Sequence, residues 1–185
     1  MGKQLDHISA DLKEFIEQQK IFFVGTAACK GRVNVSPKGM DTLRVIGDKK
    51  VVWLNLTGSG NETAAHVLQN NRMTIMFCAF EGKPLILRLY GKALAYHPRD
   101  KEFEKYSELF EENVGSRQIF EMEIEMALTS CGYAVPLMDF KEERTVLDQW
   151  AKKQGKERIE KYWEEKNTQS IDGFETKILP DPVNE

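Results

Sequence analysis

Cysteine is scarce and scattered. Cys29, Cys78 and Cys131 are the three thiols in 185 residues, and none belongs to a Cys-x-x-Cys pair. That spacing argues against a disulfide scaffold and suits a reducing compartment. Long apolar runs are missing: no stretch approaches membrane-spanning length, and the opening "MGKQLDHISADLKEF" has no signal-peptide core. A cationic excess is also missing. Lys and Arg number 26 against 29 Asp and Glu, a net charge of −3, so nothing marks a nucleic-acid or anionic-membrane partner. The expectation is a cytoplasmic protein. His7, His66 and His97 are dispersed and form no ligand set with the cysteines, so no metal centre is expected.

What is present suits an ordinary folded domain, with 41% hydrophobic and 30% charged residues. Apolar positions at helical spacing (Leu5, Ile8, Leu12, Phe15, Ile16) predict an opening helix. Three hairpins follow: "IFFVGTAA" with "RVNVSPKG", "TLRVI" with "VVWLNL", and "MTIMFCAF" with "LILRLYGKALAY". Trp53 and Tyr90 sit within apolar runs and are expected in the core. A helix is predicted after Pro98. In "QIFEMEIEMAL", Met122, Ile124 and Met126 alternate with Glu121, Glu123 and Glu125, a strand with one wet face. The tail from Glu142 reads as charged helix, and "SIDGFETKILPDPVNE" as an extended surface segment. Strands joined by short turns predict an antiparallel barrel or sandwich decorated by helices.

The stretch "LNLTGSGNETAAH", residues 54–66, joins a strand to a helix through two glycines. Backbone N–H groups at a helix start lack internal partners and carry partial positive charge. With Thr57, Ser59, Asn61 and Thr63 as short polar neighbours, such a loop could hold a phosphate. The plain alternative is that Ser59 or Asn61 only caps the helix. A Walker loop is excluded because no Gly-Lys-Ser/Thr occurs in it, and a dinucleotide fingerprint because Thr63 stands where its third glycine belongs. His66 follows Thr63 by three positions and could reach an anion there.

The order of these elements, from "RVNVSPKG" through "VVWLNL", the polar loop and "AAHVLQNNR" to "MTIMFCAF" and "LRLYGKA", resembles the pyridoxamine 5'-phosphate oxidase-like family. The resemblance covers roughly residues 15–97, with a looser echo in "CGYAVPLMDF". It implies a mainly β, antiparallel FMN-binding split barrel over 1–140. It also implies a 141–185 helical extension packed on the same domain or on a partner subunit, and a homodimer with flavin between the subunits. Lys38 matches the family's flavin-side lysine. Leu54, Asn55, Leu56 and Thr57 match the strand end along the ring and ribityl chain. Ser59, Gly60, Asn61, Glu62 and Thr63 match the phosphate loop and helix start.

The sequence departs from true oxidases in two places. Thr63 and Ala64, preceded by Glu62, stand where the oxidases carry an Arg-Lys pair, and nothing after Phe140 matches their substrate-gripping cluster. Arg32, Arg44 and Arg88 are the available substitutes for the missing cations. The resemblance therefore implies an FMN-dependent oxidoreductase acting on an unassigned small molecule rather than on vitamin B6. The alternatives are a non-catalytic flavin carrier or sensor, and a cofactor-free dimeric β-barrel binding module.

Overall fold

The computed structural model describes residues 2–180; Met1 and 181–185, which end the C-terminal segment read above as extended, lie outside the described residues. The chain runs β1 (Gln4–Leu5), α1 (Ala10–Gln18), β2 (Phe22–Thr26), β3 (Asn34–Lys38), β4 (Leu43–Ile46) and β5 (Lys50–Leu56). It continues through α2 (Glu62–Gln69), β6 (Arg72–Cys78), β7 (Ile86–Tyr96), α3 (Lys101–Ser107), β8 (Ser116–Ser130) and α4 (Val146–Lys166). The opening helix starts later than its apolar spacing predicts. Ser9 accepts a hydrogen bond from the Leu12 N–H and caps α1, so Leu5 is left outside and pairs with Ala127 instead.

One eight-stranded sheet has the order β3-β2-β6-β7-β8-β5-β4, with β1 added beside β8. Every pairing in it is antiparallel. The sheet curls into a half-barrel with helices at its periphery, the split-barrel class the sequence led to expect. A bulge between Tyr90 and Gly91 bends β7 against β8. The two backbones meet so closely there that a Cβ on Gly91 would lie 1.9 Å from the Glu123 carbonyl oxygen.

Alternation decides the two faces. Val24, Ile75, Leu89 and Ala127 are register neighbours on the concave face, and they share its core with Leu12 and Ile16 of α1 and Ala64 and Val67 of α2. Trp53 stacks on Phe120 with ring centroids 4.6 Å apart, and Phe22 meets Trp53 edge-on at 6.2 Å. Fully burying one such side chain contributes about 1.5–3 kcal/mol. Tyr90 falls on the opposite face and is only half-buried, because the residues paired with it, Thr74 and Met126, face outward too.

On the convex side α3 covers part of the face that the glutamates mark as wet. Tyr106 packs with Val52, Leu54 and Ile119. The Tyr106 hydroxyl donates to Glu121 at 2.5 Å, and the Lys50 ammonium lies 2.9 Å from the same carboxylate. Glu123 and Glu125 stay exposed.

α4 is broken at Gly155, whose φ of 72° lies in the left-handed region that glycine tolerates. Ala151, Ile159 and Trp163 form a third apolar cluster with Ile178. The segment after Lys166 is not a loose surface strand. It turns back through a Gln169–Glu175 bridge and buries Thr176 and Ile178.

Candidate functional site

β5 ends at Leu56, and its side chains split between the two cores. Leu54 and Leu56 belong to the convex cluster under α3. Asn55 points inward and donates to Gln118 Oε1 at 3.1 Å. Thr57 closes the strand: its N–H and its hydroxyl each donate to the Gly115 carbonyl at 2.8 Å. Trp163 Nε1 then donates to the Thr57 hydroxyl oxygen at 2.9 Å, which brings α4 onto the loop.

The loop is held from behind. Arg117, at the start of β8, is only 3% exposed. Its Nη1 donates to the carbonyls of Gly60 (3.0 Å) and Gly58 (3.4 Å) and to Asn167 Oδ1 (2.7 Å). Asn167 is fully buried, donates from Nδ2 to the Gly58 carbonyl at 3.1 Å, and accepts from Asn61 Nδ2 at 3.1 Å. Asn61 therefore occupies the cap position of α2 without capping it; its side chain is spent on Asn167. Glu62 is engaged as well, both carboxylate oxygens accepting from the Ile171 N–H at 3.1 Å while Oε1 stays beside Gly60. The carboxylate that seemed to oppose an anion is engaged by the C-terminal segment. Thr63 is buried and accepts from Asn34 Nδ2 at 3.3 Å.

Among the described residues, the backbone N–H groups of Gly58, Ser59, Gly60, Asn61, Glu62, Thr63 and Ala64 have no acceptor. Seven donors thus cluster at the positive end of α2. Ser59 and Gly60 are exposed, and Thr57, Gly58 and Ser59 border a cleft of about 1650 Å³. Lys38 borders the same cleft, with Trp150 and Tyr162 on another side.

Lys38 pairs across the strands with Phe22, so its side chain falls on the concave face, and its Nζ lies 5.1 Å from the centre of the Trp53 ring. No carboxylate pairs with it among the described residues. Burial, and to a lesser degree the charge of Arg117, lower its pKa to about 8. Burial lowers Arg117 to about 10, which leaves it cationic at neutral pH. Just past Lys38, Met40 and Asp41 have φ of 60° and 53°, a strained turn for residues with a Cβ.

Lys38, Thr57, Gly58 and Ser59 border the same cleft. His66 does not join them: it is buried under α2, and its Nδ1 lies 3.1 Å from the Thr26 hydroxyl. The three arginines singled out in the sequence are engaged elsewhere. Arg32 pairs with Asp172, Arg44 with Asp41, and Arg88 donates to Ser130. Arg117, which the sequence reading passed over, is the cation at the loop. Its only signal was its place after Gly115 at the head of an apolar strand, where arginines usually face water.

A family model described as pyridoxamine 5'-phosphate oxidase matches residues 8–131. The chain belongs to the pyridoxamine 5'-phosphate oxidase family. The family member ustO of Aspergillus flavus is 35% identical over 139 residues, 72% of this chain, and the chain spans 56% of that relative's length. Two crystal structures share the family fold. HupZ from Group A Streptococcus superposes with a TM-score of 0.52 at 21% identity, covering 64% of this chain and 91% of the other. A protein from Lactobacillus delbrueckii, provisionally assigned as a pyridoxamine 5'-phosphate oxidase, gives 0.53 at 14% identity, covering 66% and 94%. Among the described residues no helix is long and apolar enough to cross a membrane, and no group of three metal-ligating side chains gathers.

Proposed function

We propose that the chain binds FMN in the cleft and acts as a flavin-dependent oxidoreductase on an unassigned small molecule. The observation that carries this reading is two cations without carboxylate partners among the described residues: Arg117 at the loop whose N–H groups at 58–64 have no acceptor, and Lys38 on the cleft that Gly58 and Ser59 border. A cation withdrawn from water without a counter-charge is costly, so a site that keeps Arg117 buried and Lys38 half-buried is suited to an anion. The donor set fits a nucleotide phosphate, with open N–H groups and the Ser59 hydroxyl, while the Glu62 carboxylate beside Gly60 is held by the Ile171 N–H. Family membership supports flavin as the nucleotide. Bound flavin would supply electron and hydride transfer. The protein's own part would be to hold the phosphate at residues 58–64 and to keep Lys38, protonated at neutral pH, beside the ring.

Purified protein is expected to be yellow, with absorbance near ~450 nm, and to release FMN on denaturation. Reduction of that chromophore by NADH or NADPH would then separate an oxidoreductase from a carrier. A colourless protein that refuses added FMN would leave only the cofactor-free module.

A second copy of the chain suits the convex face. Val35 is 66% exposed there, and Phe23, Met76, Tyr90, Met126 and Leu128 form a half-buried stripe beside it. Such a stripe is the kind of surface that a homodimer covers. Sedimentation velocity is expected to give a dimer, and Val35→Glu with Tyr90→Glu a monomer. A wild-type monomer at tens of micromolar would count against it.

A further inference from the structure

Arg117 is a puzzle in its own right. A guanidinium keeps its charge, and this one is buried with no carboxylate partner among the described residues. Its Nε is buried without an acceptor, and every partner of its Nη1 is a neutral oxygen. Carbonyl dipoles alone offset such a charge poorly.

The direction of those dipoles is informative. No cis peptide occurs among the described residues. In a trans peptide the carbonyl of one residue and the N–H of the next point opposite ways. The carbonyls of Gly58 and Gly60 are turned onto Arg117, so the N–H groups of Ser59 and Asn61 are turned away from it. Neither N–H has an acceptor among the described residues, and Ser59 borders the cleft. The cation therefore stands behind two peptide units whose positive ends face away from it, that of Ser59 at the edge of the cleft.

We propose that Arg117 is the charge that binds the phosphate, acting without contact through the 58–59 and 60–61 peptide units, with Asn167 fixing it behind them. This rests on the FMN reading. It explains how the loop manages without the Arg-Lys pair at the start of α2. The polarised peptides present the positive potential of a guanidinium while keeping the guanidinium out of the cleft. Asn167 is a positioning residue here: it orients Arg117 through Oδ1, the Gly58 peptide through Nδ2, and the cap of α2 through its own carbonyl.

The test compares FMN with riboflavin, which lacks the phosphate, by quenching of flavin fluorescence on the full-length chain. Wild type is expected to prefer FMN. Arg117→Gln should lose about tenfold of that preference while its riboflavin affinity stays within about threefold, and Arg117→Lys should restore most of it. Equal loss of both flavins in Arg117→Gln would mean that Arg117 only shapes the loop, as would equal FMN loss in the Gln and Lys variants. Either result overturns the proposal.

Wild type alone also decides, should Arg117→Gln fail to fold. A buried charge is weakly screened, so the FMN preference should change less than about threefold between about 50 and about 500 mM KCl. A steep fall would assign the preference to exposed cations and overturn the relay. A wild type that binds neither flavin removes the FMN reading itself. A wild type that prefers FMN while Arg117→Gln keeps the full preference removes only the relay.

Discussion

Replacing Ser59 by glutamate is expected to weaken FMN binding about a hundredfold and to leave riboflavin binding within about threefold. The argument is electrostatic. Ser59 is exposed at the cleft edge of the loop, so a longer side chain there disturbs no packing. It sets a carboxylate beside the position that the open amides assign to a phosphate carrying close to two negative charges. Unit charges at ~4 Å repel by about 1 kcal/mol in water and about 4 kcal/mol at a protein surface of low effective dielectric. A value between these, about 2–3 kcal/mol, is roughly a hundredfold in affinity. The measurement is a pair of fluorescence titrations. Unchanged FMN affinity would move the phosphate away from this loop.

The second large effect concerns Lys38. Its ammonium is half-buried, has no carboxylate partner among the described residues, and titrates near pH 8 in the folded state against an ordinary 10.5. Below pH 8 both folded and unfolded chains carry the proton, and the folded state bears the full burial penalty. Between pH 8 and 10.5 the folded chain releases the proton first, so the unfolded chain binds more protons and stability rises with pH. Above that range the penalty is gone. Discounted for the solvent that reaches this half-buried group, the penalty at neutral pH is about 1–2 kcal/mol. Lys38→Met is therefore expected to unfold at higher urea than wild type at pH 7 and to lose the rise between pH 8 and 10.5. The same variant should reduce the rate of flavin reduction if the ammonium serves the ring. Wild-type stability that stays flat across that pH window would show that Lys38 is well solvated. A lysine kept against a stability cost is the kind of residue selected for its chemistry.

The hairpins were legible because each strand buries one face. Phe22 and Val24, Val51 and Trp53, and Met122 and Ile124 alternate with residues that face elsewhere, and period-two patterning survives without tertiary information. β1 was not legible, since two residues carry no period and Gln4–Leu5 are strand only because β8 offers them an edge. The start of α1 was misread for the same reason: Leu5 has the right spacing for a helix but a better partner in Ala127.

At the candidate site, the residue types of the loop left a phosphate site and a plain helix cap both open, and the family resemblance pointed to Lys38. Arg117 and Asn167 could not be found that way. Each becomes polar machinery only when segments 50 residues apart in sequence meet. The C-terminal segment was read as surface because its composition is polar, and most of 170–180 is exposed or half-buried; Ser170, Thr176 and Ile178 are inside, and Thr176 donates to the Asn167 carbonyl at 2.6 Å. Tyr90 shows the opposite error, an aromatic residue placed in the core by its neighbours' character although its register turns it outward.

Asn61 and Asn167 are 106 positions apart, and their hydrogen bond ties the middle of the chain to its late part. During synthesis the last strand of the sheet among the described residues is complete at Ser130, well before Asn167 is added. A nascent or proteolytically clipped chain could thus close its sheet while the glycine turn at its mouth still lacked its backing. The cleft acquires its finished rim only once Asn167 has emerged, so assembly of the scaffold and readiness to receive a ligand are separate events in time.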